Sequence, residues 1–259
     1  MALLIGGHPR SGTSLLQELC NQHPEMFISF EFGNFLPLNR PWPKYRQQLI
    51  KRIWRIKDVS IITDDHRLIQ RVKSLRFALK YLWHIEHTKD GRVKAETIEQ
   101  AIRKSIGPRL VVGDKYPGYV FRLDRLTRFR GIRTVIIYRD CRDVASSTLR
   151  KVRTDWAGRR WTERYDTAGK VAERWLDAIA QMEIHAGKIF SLRYEALVQQ
   201  PQPELERLAG WLGVDPAGFP AGLIRDSSIG KYRQGLTPRE LETLLAVAGP
   251  TMARLGYEL

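Results

Sequence analysis

Cysteine is nearly absent from this 259-residue sequence, which has only Cys20 and Cys141. Two widely separated cysteines exclude a disulfide framework and a cysteine-rich zinc site, and both positions are typical of small buried residues on helices. No apolar run reaches 18 residues, which argues against a membrane-spanning helix. The sequence enters its first strand without a basic and apolar leader, so we expect no secretory signal. These absences predict a reducing, cytoplasmic environment.

Acidic residues are scarce relative to basic ones. The 28 Asp and Glu residues face 43 Lys and Arg residues, which gives a formal net charge of +15. Such a field attracts anions, whether nucleic acid, anionic lipid, acidic polysaccharide or a multiply charged nucleotide. The basic residues are dispersed, and no helix-turn-helix, zinc or RNA-binding signature accompanies them. A basic nucleic-acid-binding protein stays open as an alternative, although we expect no nucleic-acid partner.

A lysine is missing from the N-terminal loop. The apolar run 3–5 predicts a buried strand, Gly7 and Gly12 bound a Gly-x-x-x-x-Gly turn, and a helical pattern follows. In this layout backbone N–H groups and a helix N-terminus converge on a phosphate. Nucleoside triphosphatases carry lysine directly after the second glycine, whereas here Thr13 stands there and the cation is Arg10. The loop therefore predicts anion binding but is poorly suited to magnesium-assisted phosphoryl transfer.

The remaining pattern alternates strands with helices. Apolar runs at 26–30, 109–113, 134–138 and 188–193 predict further strands, separated by helical spacing. This order predicts a single α/β domain, 1–259, with a central and mainly parallel sheet flanked by helices. Residues 40–107 are predicted as a helical insertion in this domain. Within it, a helix from Asp64-Asp65 to about residue 88 would carry Leu68, Ile69, Val72, Leu75, Leu79 and Leu82 on one face.

Polar residues follow every predicted strand. Because the carboxyl ends of parallel strands share one edge of a sheet, these side chains are expected to form one site there. The residues concerned are Arg10, Glu31, Asp114 with Lys115, Arg139, and Tyr194.

This constellation resembles the sulfotransferases that use 3′-phosphoadenosine-5′-phosphosulfate (PAPS), in the branch of the tyrosylprotein sulfotransferases and many bacterial relatives. The family's 5′-phosphosulfate loop is similar to residues 9–15 here, and its 3′-phosphate motif is similar to Arg139 followed eight residues later by Ser147. The likeness covers residues 3–35 and 109–152 and returns near Tyr194 and residues 228–231. Cys141 departs from the motif, since many relatives carry proline there.

The resemblance implies a P-loop sulfotransferase fold, PAPS as donor with 3′-phosphoadenosine-5′-phosphate (PAP) as product, and no metal requirement. It implies that Glu31, 21 residues after Arg10, is the general base, and that Arg10 and Lys115 assist the transfer. A salt-bridge partner of Arg10 or Lys115 is the alternative role for Glu31. The nucleotide-binding residues that the resemblance implies are Pro9, Arg10, Ser11, Gly12, Thr13, Ser14, Arg139, Ser147, Tyr194, Ser228 and Lys231.

The resemblance implies an acceptor, expected to be a small molecule or glycan-like, and the helical insertion 40–107 is expected to form part of its pocket. Positive charge in the unmatched segments indicates an acidic or sugar-like acceptor, whereas aromatic residues there indicate a hydrophobic alcohol or phenol, and the sequence leaves both open. The aromatic residues concerned are Phe32, Phe35, Trp42 and Trp54. A second alternative is a P-loop small-molecule kinase that uses Mg-ATP, with Asp114 or Asp140 as its metal ligand.

Overall fold

Five parallel strands form one central sheet. The computed structural model describes residues 1–65, 67–88, 91–224 and 228–259. The sheet order is β2-β3-β1-β4-β5, so β1 lies in the middle with β3 and β4 as its neighbours. The predicted α/β class is confirmed, and the sheet is parallel throughout. The strands are β1 (Ala2–Gly6), β2 (Met26–Phe30), β3 (Val111–Lys115), β4 (Ile132–Tyr138) and β5 (Phe190–Arg193).

Helices cover both faces of this sheet, with short 3₁₀ turns between several of them. The first four are α1 (Thr13–Gln22), α2 (Trp42–Trp54), α3 (Leu68–Thr88) and α4 (Ala95–Ile106). They are followed by α5 (Leu123–Leu126), α6 (Cys141–Arg153), α7 (Ala168–Ile184), α8 (Tyr194–Gln199), α9 (Pro201–Leu212), α10 (Tyr232–Gly235) and α11 (Pro238–Arg254).

The side chains of the sheet alternate between two apolar layers. On β1, Leu3 and Ile5 pack with α1, α8 and α9, whereas Ala2 and Leu4 pack with the helices of the 42–106 segment. A third cluster packs α6, α7 and α11 around Ile136 of β4. Both cysteines are buried and unbridged, as their surroundings in the sequence predict. Because both faces of the sheet are covered, polar ligands have access at the strand ends.

The face of the long helix α3 that packs against the core is not the face that its apolar spacing predicts. Five of the six apolar residues predicted on one face are exposed, from Leu75 at 44% to Leu68 at 68%, and only Leu82 packs against the core. The buried face carries Ser74, Phe77 and Tyr81 instead. Apolar residues occupy both faces of this helix, so periodicity alone could not identify the side that meets α4.

Not every connection between strands is a long α-helix. A 3₁₀ segment, Pro117–Arg122, and the single turn α5 connect β3 to β4. Helix α7 begins at Ala168, after the 3₁₀ turn Arg160–Arg164. Thr237 and Glu240 form a capping box at the start of α11. No helix in the described ranges combines the length and hydropathy needed to cross a bilayer.

Candidate active site

The loop between β1 and α1 depends on two glycines. Gly7 has φ 154° and Gly12 has φ 100°. A Cβ on Gly7 would lie 2.3 Å from the backbone oxygen of Ile137, and one on Gly12 would lie 2.4 Å from the Tyr194 ring. Both glycines therefore let the loop pack tightly against β4 and α8. Ser11 is fully buried in this loop, and its Oγ has no hydrogen-bond partner among the described residues.

Arg10 lies in the same loop with a left-handed backbone, at φ 71°. Its Nε donates a hydrogen bond to Ser147 Oγ on α6, 3.0 Å away. Burial lowers the pKa of Arg10, and nearby charges of both signs modify this effect. The contact brings the two sequence motifs together, although 137 residues separate them.

Arg139 organises the other side of the loop. It follows β4, its Nη1 donates to the backbone oxygen of Arg10 at 3.4 Å, and its guanidinium lies 4.5 Å from the ring centre of Tyr194. Its Nη2 donates to the backbone oxygen of Ser228 and forms an ion pair with Asp143 at 3.2 Å. The structure thus brings four of the predicted nucleotide residues, Arg10, Arg139, Tyr194 and Ser228, into one cluster.

Asp143 holds residues 228–232, here called the late loop, against α6. Its carboxylate accepts the backbone N–H of Gly230 at 2.9 Å and that of Tyr232 at 3.0 Å. The Lys231 side chain, by contrast, forms no hydrogen bond or ion pair within the described residues. Its predicted role in nucleotide binding is therefore supported only by its position in the late loop. Asp143 is not among the site residues predicted from the sequence, and its one signal there is its position four residues after Arg139 in a helix.

Glu31 and Lys115 meet at the ends of β2 and β3. Lys115 Nζ lies 3.0 Å from Glu31 Oε1 and donates to Ser14 Oγ at 3.4 Å. Lys115 is buried, and its ammonium sits 3.4 Å from the centre of the Phe30 ring, whereas Glu31 is about one-third exposed, at 34%. Glu31 therefore has the ion pair that the sequence analysis gave as its alternative role, and it still faces open space.

Glu31 also occupies a left-handed turn, at φ 51°. Its backbone N–H donates to the Lys115 oxygen at 2.7 Å, which joins the turn to the end of β3. Of the three non-glycine residues with positive φ in the described ranges, two are Arg10 and Glu31. Such conformations cost free energy and persist where the surroundings enforce them.

Asp114 enforces the turn after Glu31. It is fully buried, and its carboxylate accepts the backbone N–H groups of Phe32 at 3.1 Å and Gly33 at 2.9 Å. The hydroxyls of Ser29 and Tyr119 also donate to it, each at 2.6 Å. Burial raises the pKa of Asp114 from 3.8 to about 6, and these hydrogen bonds oppose the rise. From its position in the sequence, Asp114 is expected only at a strand end or as a metal ligand of the kinase alternative, whereas in the structure its carboxylate anchors the Glu31 turn.

His8 lies beneath the loop and is buried. Its Nδ1 lies 2.8 Å from the Pro9 oxygen, and its ring meets Tyr165 edge-on. Burial lowers the pKa of His8 to about 4, so the imidazole is neutral at physiological pH. With a proton on Nδ1 for Pro9, the imidazole has its second nitrogen buried without a partner among the described residues.

Two cavities open on either side of Glu31. One of about 880 Å³ includes Arg10 and Ser14, and the other, of about 980 Å³, includes Pro9 and Tyr116. Both are lined by Arg52 and Arg55, which the 42–106 segment supplies. The aromatic residues expected in an acceptor pocket are placed elsewhere, since Phe32 and Phe35 are buried in the core and Trp42 and Trp54 line neither cavity. The aromatic residues that line one or both cavities are Phe30, Tyr116, Phe121, Trp156, Trp161 and Tyr165.

Comparison with known proteins places this site in a family. The chain is 25% identical to the nodulation protein NoeE of Sinorhizobium fredii over 97% of its own length, and it spans 65% of the length of that relative. The sulfotransferase domain of the Synechococcus PCC 7002 olefin synthase shares 18% identity and superposes with a TM-score of 0.61, covering 100% of this chain and 95% of that one. The sulfotransferase domain from the curacin biosynthetic pathway gives 19% identity and a TM-score of 0.59, covering 100% and 98%.

These two structural likenesses show a shared fold. The sequence model described as the sulfotransferase family matches residues 2–217, which include the loop, Glu31, Lys115, Arg139 and Tyr194. This match extends over most of the chain, and the protein therefore belongs to the sulfotransferase family.

Proposed function

We propose that this protein transfers the sulfuryl group of PAPS to a hydroxyl or amine of an acceptor, with Glu31 as the general base. The observation that carries the proposal is the position of Lys115, whose ammonium contacts both Glu31 and Ser14 of the phosphate loop. One buried cation thus joins a partly exposed carboxylate to an anion-binding loop. This arrangement supports the proposal, because sulfuryl transfer needs cations near the leaving phosphate and a base near the incoming nucleophile.

The residues present fit a nucleotide with a phosphate at each end. Ser11 Oγ and Arg139 Nε are buried polar atoms without hydrogen-bond partners among the described residues, and both are donors that anions favour. The loop backbone with Arg10, Thr13 and Ser14 would hold the 5′-phosphosulfate. Arg139 and Ser147 would hold the 3′-phosphate, because a guanidinium and a hydroxyl form charge-assisted hydrogen bonds with it. The late loop, with Ser228 and Lys231, would cover the nucleotide, and Tyr194 would lie beside it.

The bound donor would supply a sulfuryl group attached to a phosphate leaving group. Arg10 and Lys115 would stabilise the negative charge that develops on that group, since Lys115 is buried and Arg10 is half-buried in the loop. Glu31 would accept the proton of the acceptor hydroxyl, because its carboxylate is exposed to the two cavities while Lys115 fixes one of its oxygens. The helical segment 42–106 would form one wall of the acceptor pocket.

The kinase alternative has weaker support, because its candidate metal ligands are engaged elsewhere. Asp114 is buried and accepts four hydrogen bonds. Asp140 caps α6 by accepting the Arg142 N–H, and it pairs with the Arg142 guanidinium at 2.7 Å. A magnesium ion at either carboxylate would require breaking these contacts. Within the described ranges, no group of three or more His, Cys, Asp or Glu side chains is placed to hold a metal ion.

Thermal unfolding with PAP or Mg-ATP tests the proposal. A ligand at 100 times its Kd stabilises a protein by about 2.7 kcal/mol, which gives a clear shift in Tm. We expect PAP to stabilise the protein, Arg139→Ala to abolish the shift, and Arg207→Ala, on the outer face of α9, to preserve it. Radiolabelled PAPS would then report transfer to candidate acceptors. Stabilisation by Mg-ATP and not by PAP would replace the proposal with the kinase alternative.

A further inference from the structure

The charged side chains that line the larger of the two cavities beside Glu31 are almost all positive. Six arginines line it, and Glu31 is its one carboxylate. They come from four separate parts of the chain: the end of α2 and the turn after it, the 3₁₀ segment before α5, the loop before α7, and α7 itself. The smaller cavity is nearly balanced, because Asp58, Asp64 and Asp155 line it together with Glu31. The arginines of the larger cavity are Arg52, Arg55, Arg122, Arg159, Arg164 and Arg174.

In the part of the chain that the structure describes, these six guanidiniums have no ion-pair partner, although Arg52 has a longer-range attraction to the buried Asp114. Within the described residues, none of their side chains forms a hydrogen bond or an ion pair. Several cations around one cavity, with low-dielectric walls, focus a positive potential into it. An anionic ligand would relieve the mutual repulsion of these groups.

Two of the arginines are held in place by aromatic faces. Arg174 is half-buried, its guanidinium lies 4.2 Å from the ring centre of Phe121, and its buried Nε has no partner among the described residues. Arg52 lies 5.4 Å from the ring centre of Tyr116. Stacked guanidiniums lose little further freedom on binding, and their N–H groups remain available at the edge of the planar group. The guanidiniums of Arg174 and Arg52 are therefore pre-organised to bind an oxyanion.

The cavity is also separate from the predicted nucleotide residues. Of those residues only Pro9 lines it, and Arg139, Ser147, Tyr194 and the late loop do not. Arg52, Arg55 and Arg159 also line the smaller cavity together with Arg10 and Ser14, whereas Arg122, Arg164 and Arg174 line the larger cavity alone. The phosphates of the nucleotide do not account for these last three charges. Its one carboxylate is the proposed base, so a molecule in this cavity would present its nucleophile to Glu31.

The geometry points to an acceptor that carries an oxyanion, a carboxylate or a phosphate, at a distance from the hydroxyl that is sulfated. This inference rests on the proposed function, since it names the substrate class of the same site. Arg174 and Arg52 would bind the oxyanion, and Trp156 with Trp161, whose ring centres lie 5.0 Å apart on the cavity wall, would pack against the body of the acceptor. A neutral alcohol or phenol would leave the guanidiniums without a partner.

The test uses matched probes on protein saturated with PAP. The first set is 4-nitrophenyl β-D-glucuronide, 4-nitrophenyl β-D-glucoside and 4-nitrophenyl β-D-glucose 6-phosphate, which differ at one carbon. The second pair is 4-hydroxyphenylacetate and 4-hydroxyphenylacetamide. By calorimetry, the charged members should bind about tenfold or more tightly than the neutral ones, because charge-assisted hydrogen bonds contribute that much. The carboxylate and phosphate members identify which oxyanion is preferred.

Variants test whether the preference for charged probes comes from this cavity or from general electrostatic attraction to the protein. Arg174→Gln and Arg52→Gln should each remove most of the preference, whereas Arg128→Gln, an exposed arginine that lines neither cavity, should keep it. PAP stabilisation and Tm are measured on every variant. If PAP fails to stabilise the wild type, the proposed function fails. If PAP binds, but neutral members bind as tightly as charged ones, or no charged member binds at millimolar concentration, only the present inference is overturned.

Discussion

The Asp114 carboxylate accepts a hydrogen bond from the backbone N–H of Gly33, 2.9 Å away. Gly33 lies two residues beyond Glu31, and Phe32 donates to the same carboxylate. Asp114 does not touch Glu31 through its side chain, yet it fixes the turn from which the Glu31 carboxylate projects. It acts as a positioning residue for the proposed base.

Replacing Asp114 by asparagine tests this role. The amide keeps the size of the side chain but offers one acceptor oxygen, so at least one buried N–H or O–H loses its partner. We expect the free energy of unfolding to fall by about 1–3 kcal/mol. We also expect kcat to fall, while PAP affinity stays unchanged because the phosphate loop is not altered. Asp124→Asn, an exposed carboxylate on α5, is the control. An unchanged kcat in folded Asp114→Asn would contradict the positioning role.

Comparison of the wild type with Asp114→Asn also tests how the free energy of unfolding depends on pH. Burial raises the pKa of Asp114 from 3.8 to about 6, so the folded chain binds more protons there than the unfolded chain in this range. The contribution of Asp114 to the free energy of unfolding therefore increases as the pH falls from about 6 to about 4, by at most about 3 kcal/mol. Asparagine does not titrate. In urea titrations, wild type should gain stability relative to Asp114→Asn as the pH falls from 7 to 4.5, and a constant or shrinking difference would refute the prediction.

Glu31→Gln should separate chemistry from nucleotide binding. Glutamine keeps the shape of the side chain but cannot accept the acceptor proton, so turnover should fall about 10²-fold or more. The Kd for PAP should stay close to the wild-type value, because none of the proposed phosphate contacts involves Glu31. Single-turnover assays and calorimetry measure the two quantities. Wild-type turnover in this variant would remove Glu31 from the mechanism.

Asp143→Asn should loosen the late loop. Its carboxylate accepts the N–H groups of Gly230 and Tyr232 and pairs with Arg139, so the amide would weaken three contacts. We expect PAP affinity to fall about tenfold. Limited proteolysis with fragments identified by mass spectrometry should show faster cleavage near residue 230. If cleavage and affinity both match the wild type, Asp143 does not hold the loop.

Gly12→Ala should be damaging, since it combines a left-handed backbone with a Cβ 2.4 Å from the Tyr194 ring. A loss of about 1–3 kcal/mol is expected, together with the loss of PAP binding. Gly210→Ala on α9 is the matched control, because its Cβ would meet no atom within 4 Å. Alanine favours the helix there by roughly 0.5–1 kcal/mol. Equal Tm values for the two variants would count against the packing of this loop on α8.

The parts of the site that local spacing encodes could be predicted from the sequence. The glycine loop, the Arg139–Ser147 interval and the polar residues after each strand all lie within short segments. The anchoring by Asp114 could not be predicted, because it joins β3 to a turn more than 80 residues earlier in the chain. The aromatic residues that line the two cavities could not be predicted for a related reason, since Trp156 and Trp161 lie in a connection without periodicity, whereas Phe32 is buried in the core.

Strand β3 has a consequence for how this chain tolerates change in length. Asp114 and Lys115 are neighbours, so their side chains leave opposite faces of the sheet, one towards Tyr119 and the other towards Ser14. Inserting or deleting one residue in β3 would turn each of these side chains to the other face of the sheet, so that Asp114 would leave Tyr119 and Lys115 would leave the phosphate loop. Both the anchor of Glu31 and its partner would be lost in a single step. Natural length variation among related chains should therefore fall in the connections on either side of β3 and spare the strand itself.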